Sequence, residues 1–227
     1  MKEIEQLQTI KKFIEGINPE YFDSINQLLN QIDIEELNNI EELVFVIDMI
    51  KGFVEKGALA APSIKRIVPI QCKILEESKN NKNSKIVLVG DFHPENASEF
   101  NTFAPHSVEN TDEAEVIDEL KKFEKGSIKI KKNATSFIFA PGVQLLLYNA
   151  VKLKRVKFIG CLSEFCVKHG AIDAKKFFDQ NNRNIDVCVY EDAIDTFDVE
   201  GHNAEEVTRT SIEEMKANGI KILRKER

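Results

Sequence analysis

The runs LVFVID (43–48), KIVLVG (85–90), SIKIK (127–131), RVKFIG (155–160), IDVCVY (185–190) and IKIL (220–223) decide the fold of this 227-residue chain. Each is short, rich in β-branched residues and bounded by polar or turn residues, the pattern of a strand. Between them the apolar spacing switches to a helical period at about 62–78, 112–123, 142–153, 164–180 and 203–217. Such alternation predicts a six-stranded parallel sheet covered on both faces, a doubly wound α/β domain in three layers. Pro69 inside the 62–78 segment predicts a kink or a later helix start. Upstream, Ile4, Leu7, Ile10 and Ile14 recur at helical spacing as far as Gly16, and Asn18-Pro19 opens a second helix through Tyr21, Phe22, Ile25 and Leu29. The expected organisation is a helical extension over 1–40 followed by one domain over 41–227.

Composition narrows the function classes. With 31 Lys+Arg against 38 Asp+Glu the formal charge is −7, so no nucleic-acid partner is expected and nothing draws the chain to an anionic membrane. No apolar run approaches the roughly 20 residues of a membrane span, and MKEIEQLQTIKKF is too charged for a signal peptide, so the expected location is cytoplasmic. Four cysteines are too few for a disulfide scaffold. Cys72, Cys161 and Cys188 read as packing residues, and His169 and His202 as structural ones.

In open parallel sheets ligands bind beyond the carboxyl ends of the strands. Asp48 ends the first run, Asp91 and then His93 the second, Lys131-Lys132 the third, and the fourth leads through Gly160 to Cys166. An aspartate-based phosphatase would carry a second acid at position 50, which is Ile. DMIKGF lacks the glycines of a dinucleotide cradle, and no Walker lysine motif is present. Cys166 falls where strand turns into helix, a place that favours the thiolate, with an acid and a lysine at neighbouring strand ends to activate it. Asp91 and His93, two apart in an extended segment, face one side, and His106 lies near enough in sequence to join them, so two imidazoles and a carboxylate could ligate a metal with positions left open. The connection from Asp91 to Thr111 is long for a compact domain, which marks it as functional.

The ordered motifs VFVIDMIKGF (44–53), GDFHP (90–94), FAPHSVENT (103–111), KKNATSFIF (131–139) and GCLSEFCVKHGAIDA (160–174) resemble those of the isochorismatase-like cysteine hydrolases, in particular the nicotinamidase/pyrazinamidase branch, over about residues 43–200. The resemblance implies a catalytic triad of Asp48, Lys132 and Cys166, with Lys132 preferred to Lys131 because it stands four residues before Ser136. It further implies a cis peptide at Cys161–Leu162, with the amides of Leu162 and Cys166 as an oxyanion hole. Asp91, His93 and His106 would hold a divalent metal, zinc first, with iron or manganese as alternatives. Phe53 and Phe103 would flank the ring of a small carboxamide substrate, Phe103 replacing a usual Trp. The implied reaction is hydrolysis of nicotinamide or a similar carboxamide to acid and ammonia through a thioester, in a protein expected to form homo-oligomers. Met49-Ile50 replaces the family's usual Gln-Asn and Glu164 its usual Asp, departures that bear on substrate identity. The alternatives are a relative acting on another amide, carbamoyl or enol-ether substrate, a non-catalytic binding protein on this fold, and a non-haem iron oxygenase, which leaves Cys166 and Lys132 without a role.

Overall fold

The computed structural model describes residues 8, 11, 12, 16 and 19–225; the helix expected through Ile4, Leu7, Ile10 and Ile14 lies outside the described residues. All six expected strands form: β1 (Glu42–Ile47), β2 (Ser84–Asp91), β3 (Ile128–Lys132), β4 (Arg155–Cys161), β5 (Asp186–Asp195) and β6 (Lys221–Leu223). They build one sheet in the order β3-β2-β1-β4-β5-β6, with every pairing parallel. The chain therefore winds outward from β1 in one direction and from β4 in the other. Strand order reverses between these two central strands, where their carboxyl ends open a crevice.

β1 shows how the layers are assembled. Leu43, Phe45 and Ile47 point to one face and Val44 and Val46 to the other, all buried. On the first face pack α1 (Pro19–Leu29), α2 (Ile34–Leu37), α5 (Val143–Asn149), α6 (Lys168–Gln180) and α7 (Ala204–Ala217), through residues such as Leu28, Leu37, Leu146, Phe178 and Met215. Phe45 lies between Phe137 and Phe158 there, with ring centroids 4.7 and 5.2 Å away. The second face is covered by α3 (Lys51–Val54), α4 (Val68–Asn80) and two 3-10 turns, through Val54, Leu75, Leu120 and Phe123. No described helix is long and apolar enough to cross a membrane.

Pro69 acts by moving the helix start: a 3-10 segment runs over Pro62–Ile67 and α4 begins at Val68, placing the proline in the first turn, where its missing N–H costs nothing. The helix expected over 112–123 does not form. Its place is taken by 3-10 turns at Asp112–Ala114 and Asp118–Phe123, because residues 115–117 are drawn into β-like hydrogen bonds: Lys51 N–H donates to the Glu115 carbonyl (2.8 Å) and Ile117 N–H to that of Met49 (3.2 Å). After that interruption Ile117, Leu120 and Phe123 recur every third residue, the 3-10 period, and all three are buried. At the sheet edge the Gln31 side chain, just after α1, pairs with the backbone of Lys129 at 2.9 and 3.1 Å and so covers part of an otherwise open β3.

Candidate active site

The backbone at the crevice is built to bring the carboxyl ends of β1 and β4 close together. Gly160 has φ 126°, and a Cβ there would lie 2.0 Å from the Ile47 carbonyl oxygen, so only glycine fits beside β1. Asp48, directly after β1, takes a left-handed φ of 51°, a conformation Asp tolerates better than most residues. It is held by its N–H donating to the Val89 carbonyl (2.9 Å) and by its Oδ1 accepting from the Asp91 N–H (3.0 Å). Beyond β4 the Cys161–Leu162 peptide is cis, and a π-helical turn over Ser163–Val167 carries Cys166 into α6.

These elements bring Asp48, Lys132, Cys166 and Asp91 together in the interior. Lys132 Nζ lies 2.9 Å from Asp48 Oδ2, hydrogen-bonds Asp91 Oδ1 and sits 3.5 Å from Cys166 Sγ. Its side chain is 1% exposed, whereas Lys131 points outward over the Phe92 ring at 3.8 Å. Carboxylate and thiol atoms of Asp48, Asp91 and Cys166 all fall within 4.8 Å of one another. That set has a cation already, the Lys132 ammonium at its centre.

The electrostatics follow from burial and from that ammonium. Burial raises the pKa of Asp48 to about 6, a rise that Lys132 opposes and Asp91 supports. Asp91 goes the other way: burial disfavours its charge, but Lys132, with His106 and His93 beside it, holds it well below the usual carboxylate range. Burial opposes the charge of Lys132 too, and the two carboxylates outweigh it, so the lysine stays firmly protonated. Cys166 corrects the expectation of a resting thiolate. Burial pushes its thiol well above the ordinary range, Asp48 and Asp91 push the same way, and only Lys132 opposes them. The turn's dipole is too short to prevail, since α6 begins two residues later, at Lys168. The resting group is a thiol, and a carboxylate that can accept its proton lies beside it.

Asp91, His93 and His106 also converge, with one ligand atom of each within 4.8 Å of the others. His93 Nδ1 is 2.6 Å from Asn133 Oδ1 and His106 Nδ1 is 2.8 Å from the Ala104 carbonyl oxygen. Donation at Nδ1 leaves each Nε2 turned to the Asp91 carboxylate, at 3.5 and 3.6 Å. Burial works against charge on His93, but Asp91 and Asn133 outweigh it and raise its pKa. His93 Nε2 is buried with no hydrogen-bond partner. Two imidazole nitrogens and a carboxylate aimed at one point, each ring oriented by an oxygen on its far side, fit a divalent cation. Charge balance at the site agrees: Asp48 and Asp91 bring two buried carboxylates against the single ammonium of Lys132, while the third buried aspartate, Asp195, has its own partner in Arg66.

Above these groups opens a cavity of about 340 Å³, lined by Phe53, Leu59, Phe103, Phe165, Phe197 and Val199, with Cys166, Leu162, Asp91 and His106 at its floor. Among the described residues lining it, none is Lys or Arg. Phe53 meets the His106 ring edge-on at 5.4 Å, and Phe103 meets Phe165 at 5.8 Å. Met49 and Ile50 take no part in this lining; they face a separate cleft of about 410 Å³ with Val46, Leu88 and Val116. Several neighbours of the site escape sequence reasoning. Phe165 adjoins Cys166 and Asn133 adjoins Lys132, so both were within reach of the motifs. Phe197 and Val199 follow the carboxyl end of β5, a strand end that the same positional rule covers. Glu99, whose Oε2 is buried without a partner 3.9 Å from His93 Nε2, and Phe100, edge-on to His93 at 5.2 Å, come from the long connection and carry no periodic signal.

Comparison with known proteins agrees with the fold. The isochorismatase domain model matches residues 42–226, and the chain belongs to the isochorismatase family. Among solved structures it is similar to the pyrazinamidase of Pyrococcus horikoshii, crystallised in complex with zinc (29% identity, 82% of this chain and 99% of that one, TM-score 0.68). It is likewise similar to the N-carbamoylsarcosine amidase of Thermoplasma acidophilum (26% identity, 82% and 96% covered, TM-score 0.67). The pyrazinamidase/nicotinamidase of Streptococcus mutans shares the fold at 19% identity, with 81% and 100% covered and a TM-score of 0.69. No relative is found among the curated proteins.

Proposed function

We propose that this protein is a metal-dependent cysteine amidohydrolase that converts nicotinamide, or a similar small uncharged carboxamide, to its acid and ammonia. The observation that carries the reading is the buried contact of one ammonium, Lys132, with Asp48, Asp91 and the Cys166 thiol beneath an apolar cavity. Asp48 takes the thiol proton as Cys166 Sγ attacks the amide carbonyl, and returns it to the leaving ammonia. Lys132 keeps Asp48 and Asp91 ionised together and stabilises the sulfur as its charge develops. The amides of Leu162 and Cys166 receive the carbonyl oxygen as it becomes negative. Water then attacks the thioester carbonyl as Asp48 takes its proton, the bond from that carbonyl to Cys166 Sγ breaks, Asp48 returns the proton to the departing sulfur, and the acid departs. Phe53 and Phe103 flank the substrate ring. Asp91, His93 and His106 would hold the ion, zinc first with iron or manganese as alternatives, and when bound it supplies a Lewis-acidic anchor for a ring nitrogen. A cavity lined by Asp91 and Glu99 without a Lys or Arg favours this neutral substrate over carboxylate-bearing carbamoyl or enol-ether compounds.

The test is ammonia release from nicotinamide by the purified protein beside Cys166→Ala, with bound metal counted on both. Release by the wild type and its loss in the variant, at equal metal content, is the expected result. Absence of release from a metal-loaded wild type across a panel of small carboxamides overturns the reading.

A further inference from the structure

Glu164, two residues before Cys166, does not face the cysteine. Its Oε1 accepts from Thr196 Oγ1 at 2.8 Å and lies 3.1 Å from His202 Nε2, while Ser163 Oγ donates to its Oε2 at 3.2 Å. His202 in turn stacks on the Phe197 ring (centroids 3.9 Å apart, 20° between planes) and places Nδ1 3.0 Å from the Phe197 carbonyl oxygen. Val199 and His202 close the same turn with a pair of backbone hydrogen bonds at 2.9 and 3.2 Å. Phe197 and Val199 are wall residues of the cavity, and Glu164 and His202 are not. The Glu164 side chain is 11% exposed and that of His202 23%. One carboxylate thus fastens the turn that carries the cysteine to the turn that carries the opposite wall.

We propose that Glu164 and His202 are positioning residues that set the width of the substrate cavity by pinning Phe197 and Val199, and so determine which carboxamides fit. The proposal rests on the amidohydrolase reading for its kinetic consequences but on the geometry alone for the pinning. It also gives Glu164 a reason to be Glu. A side chain one methylene shorter, starting from the same backbone, does not span to both Thr196 Oγ1 and His202 Nε2. Glutamine keeps the accepting oxygen at Oε1, where both of those partners converge, so Glu164→Gln preserves the tie. Glu164→Ala, Glu164→Asp and His202→Ala break it.

Kinetics and a spectroscopic reporter test this separately. For nicotinamide, Glu164→Ala and His202→Ala should raise KM about tenfold, the scale of one or two lost hydrogen bonds, with kcat little changed. The ratio of kcat/KM for 5-methylnicotinamide over nicotinamide should rise in both, while Glu164→Gln stays at wild-type values. The chain has no tryptophan, so Phe197→Trp places a sole indole on the wall. Acrylamide quenching of that indole should increase when Glu164→Ala or His202→Ala is added and remain unchanged with Glu164→Gln. Equal quenching in all backgrounds, or a fall in kcat with KM and the substrate ratio unchanged, overturns the proposal. The quenching result stands whether or not the wild type hydrolyses nicotinamide, so failure of the functional reading is told apart from failure of this one.

Discussion

Replacing Lys132 by methionine keeps most of the buried volume and removes only the charge that Asp48, Asp91 and Cys166 share. The pair with Asp48 at 2.9 Å represents a gross attraction of about 6 kcal/mol at an effective dielectric constant near 20. Much of that offsets desolvation, and what the mutation exposes is the cost of leaving a carboxylate buried and unpaired, about 3–5 kcal/mol. A cation bound at Asp91 does not relieve this, because Asp48 still faces the interior alone. For a chain of this size each kcal/mol moves Tm by roughly 2–4 °C, so Lys132→Met should lower it by roughly 6–20 °C. Thermal unfolding followed by circular dichroism at pH 7 measures the shift, and adding Asp48→Asn should restore at least half of it, since the stranded charge is then gone. A Lys132→Met protein that melts within about 2 °C of wild type would refute the claim that this ammonium holds two carboxylates in the core.

Gly160→Ala should prevent soluble folding: its Cβ would lie 2.0 Å from the Ile47 carbonyl oxygen at φ 126°, a backbone clash that no rotamer relieves, and soluble yield with far-ultraviolet dichroism reports it. Phe45→Ala empties a site flanked by Phe137 and Phe158 and should cost about 3–5 kcal/mol in denaturant unfolding. His93→Ala should abolish stoichiometric zinc in elemental analysis while leaving the protein folded, whereas His169→Ala, whose Nδ1 lies 3.0 Å from Thr135 Oγ1 and outside the Asp91 cluster, should retain the metal.

The sheet was legible because its central strands are buried on both faces, so β-branched runs such as KIVLVG stand out as continuous apolar segments, while the edge strand β3 shows the alternation of a strand buried on one face. The crevice followed from the strand-end rule, which reached Asp48, Asp91, the pair Lys131-Lys132 and Cys166 without any knowledge of contacts, and the family resemblance chose Lys132 from that pair by its spacing to Ser136. Two kinds of information were not local. The 112–123 segment carries apolar residues at a spacing that a helix and a 3-10 turn share, and only the backbone pairing of residues 115–117 with residues 49–51 decides between them. The state of Cys166 depends on how deeply the fold buries it and on two carboxylates brought in from other strands, against which the helix start counts for little. Glu99 and the tie from Glu164 to His202 join residues in distant parts of the chain that share no motif, so nothing short of their packing places them together.

The proposed reaction passes through a thioester on Cys166, and trapping that species tests it at the bond that forms. Protein mixed with nicotinamide and hydroxylamine should form nicotinohydroxamate alongside nicotinic acid, and rapid acid quenching without hydroxylamine should leave a nicotinoyl group on the peptide that contains Cys166. Acid formed at an undiminished rate by Cys166→Ala, or turnover with neither hydroxamate nor acylated peptide, would contradict the account.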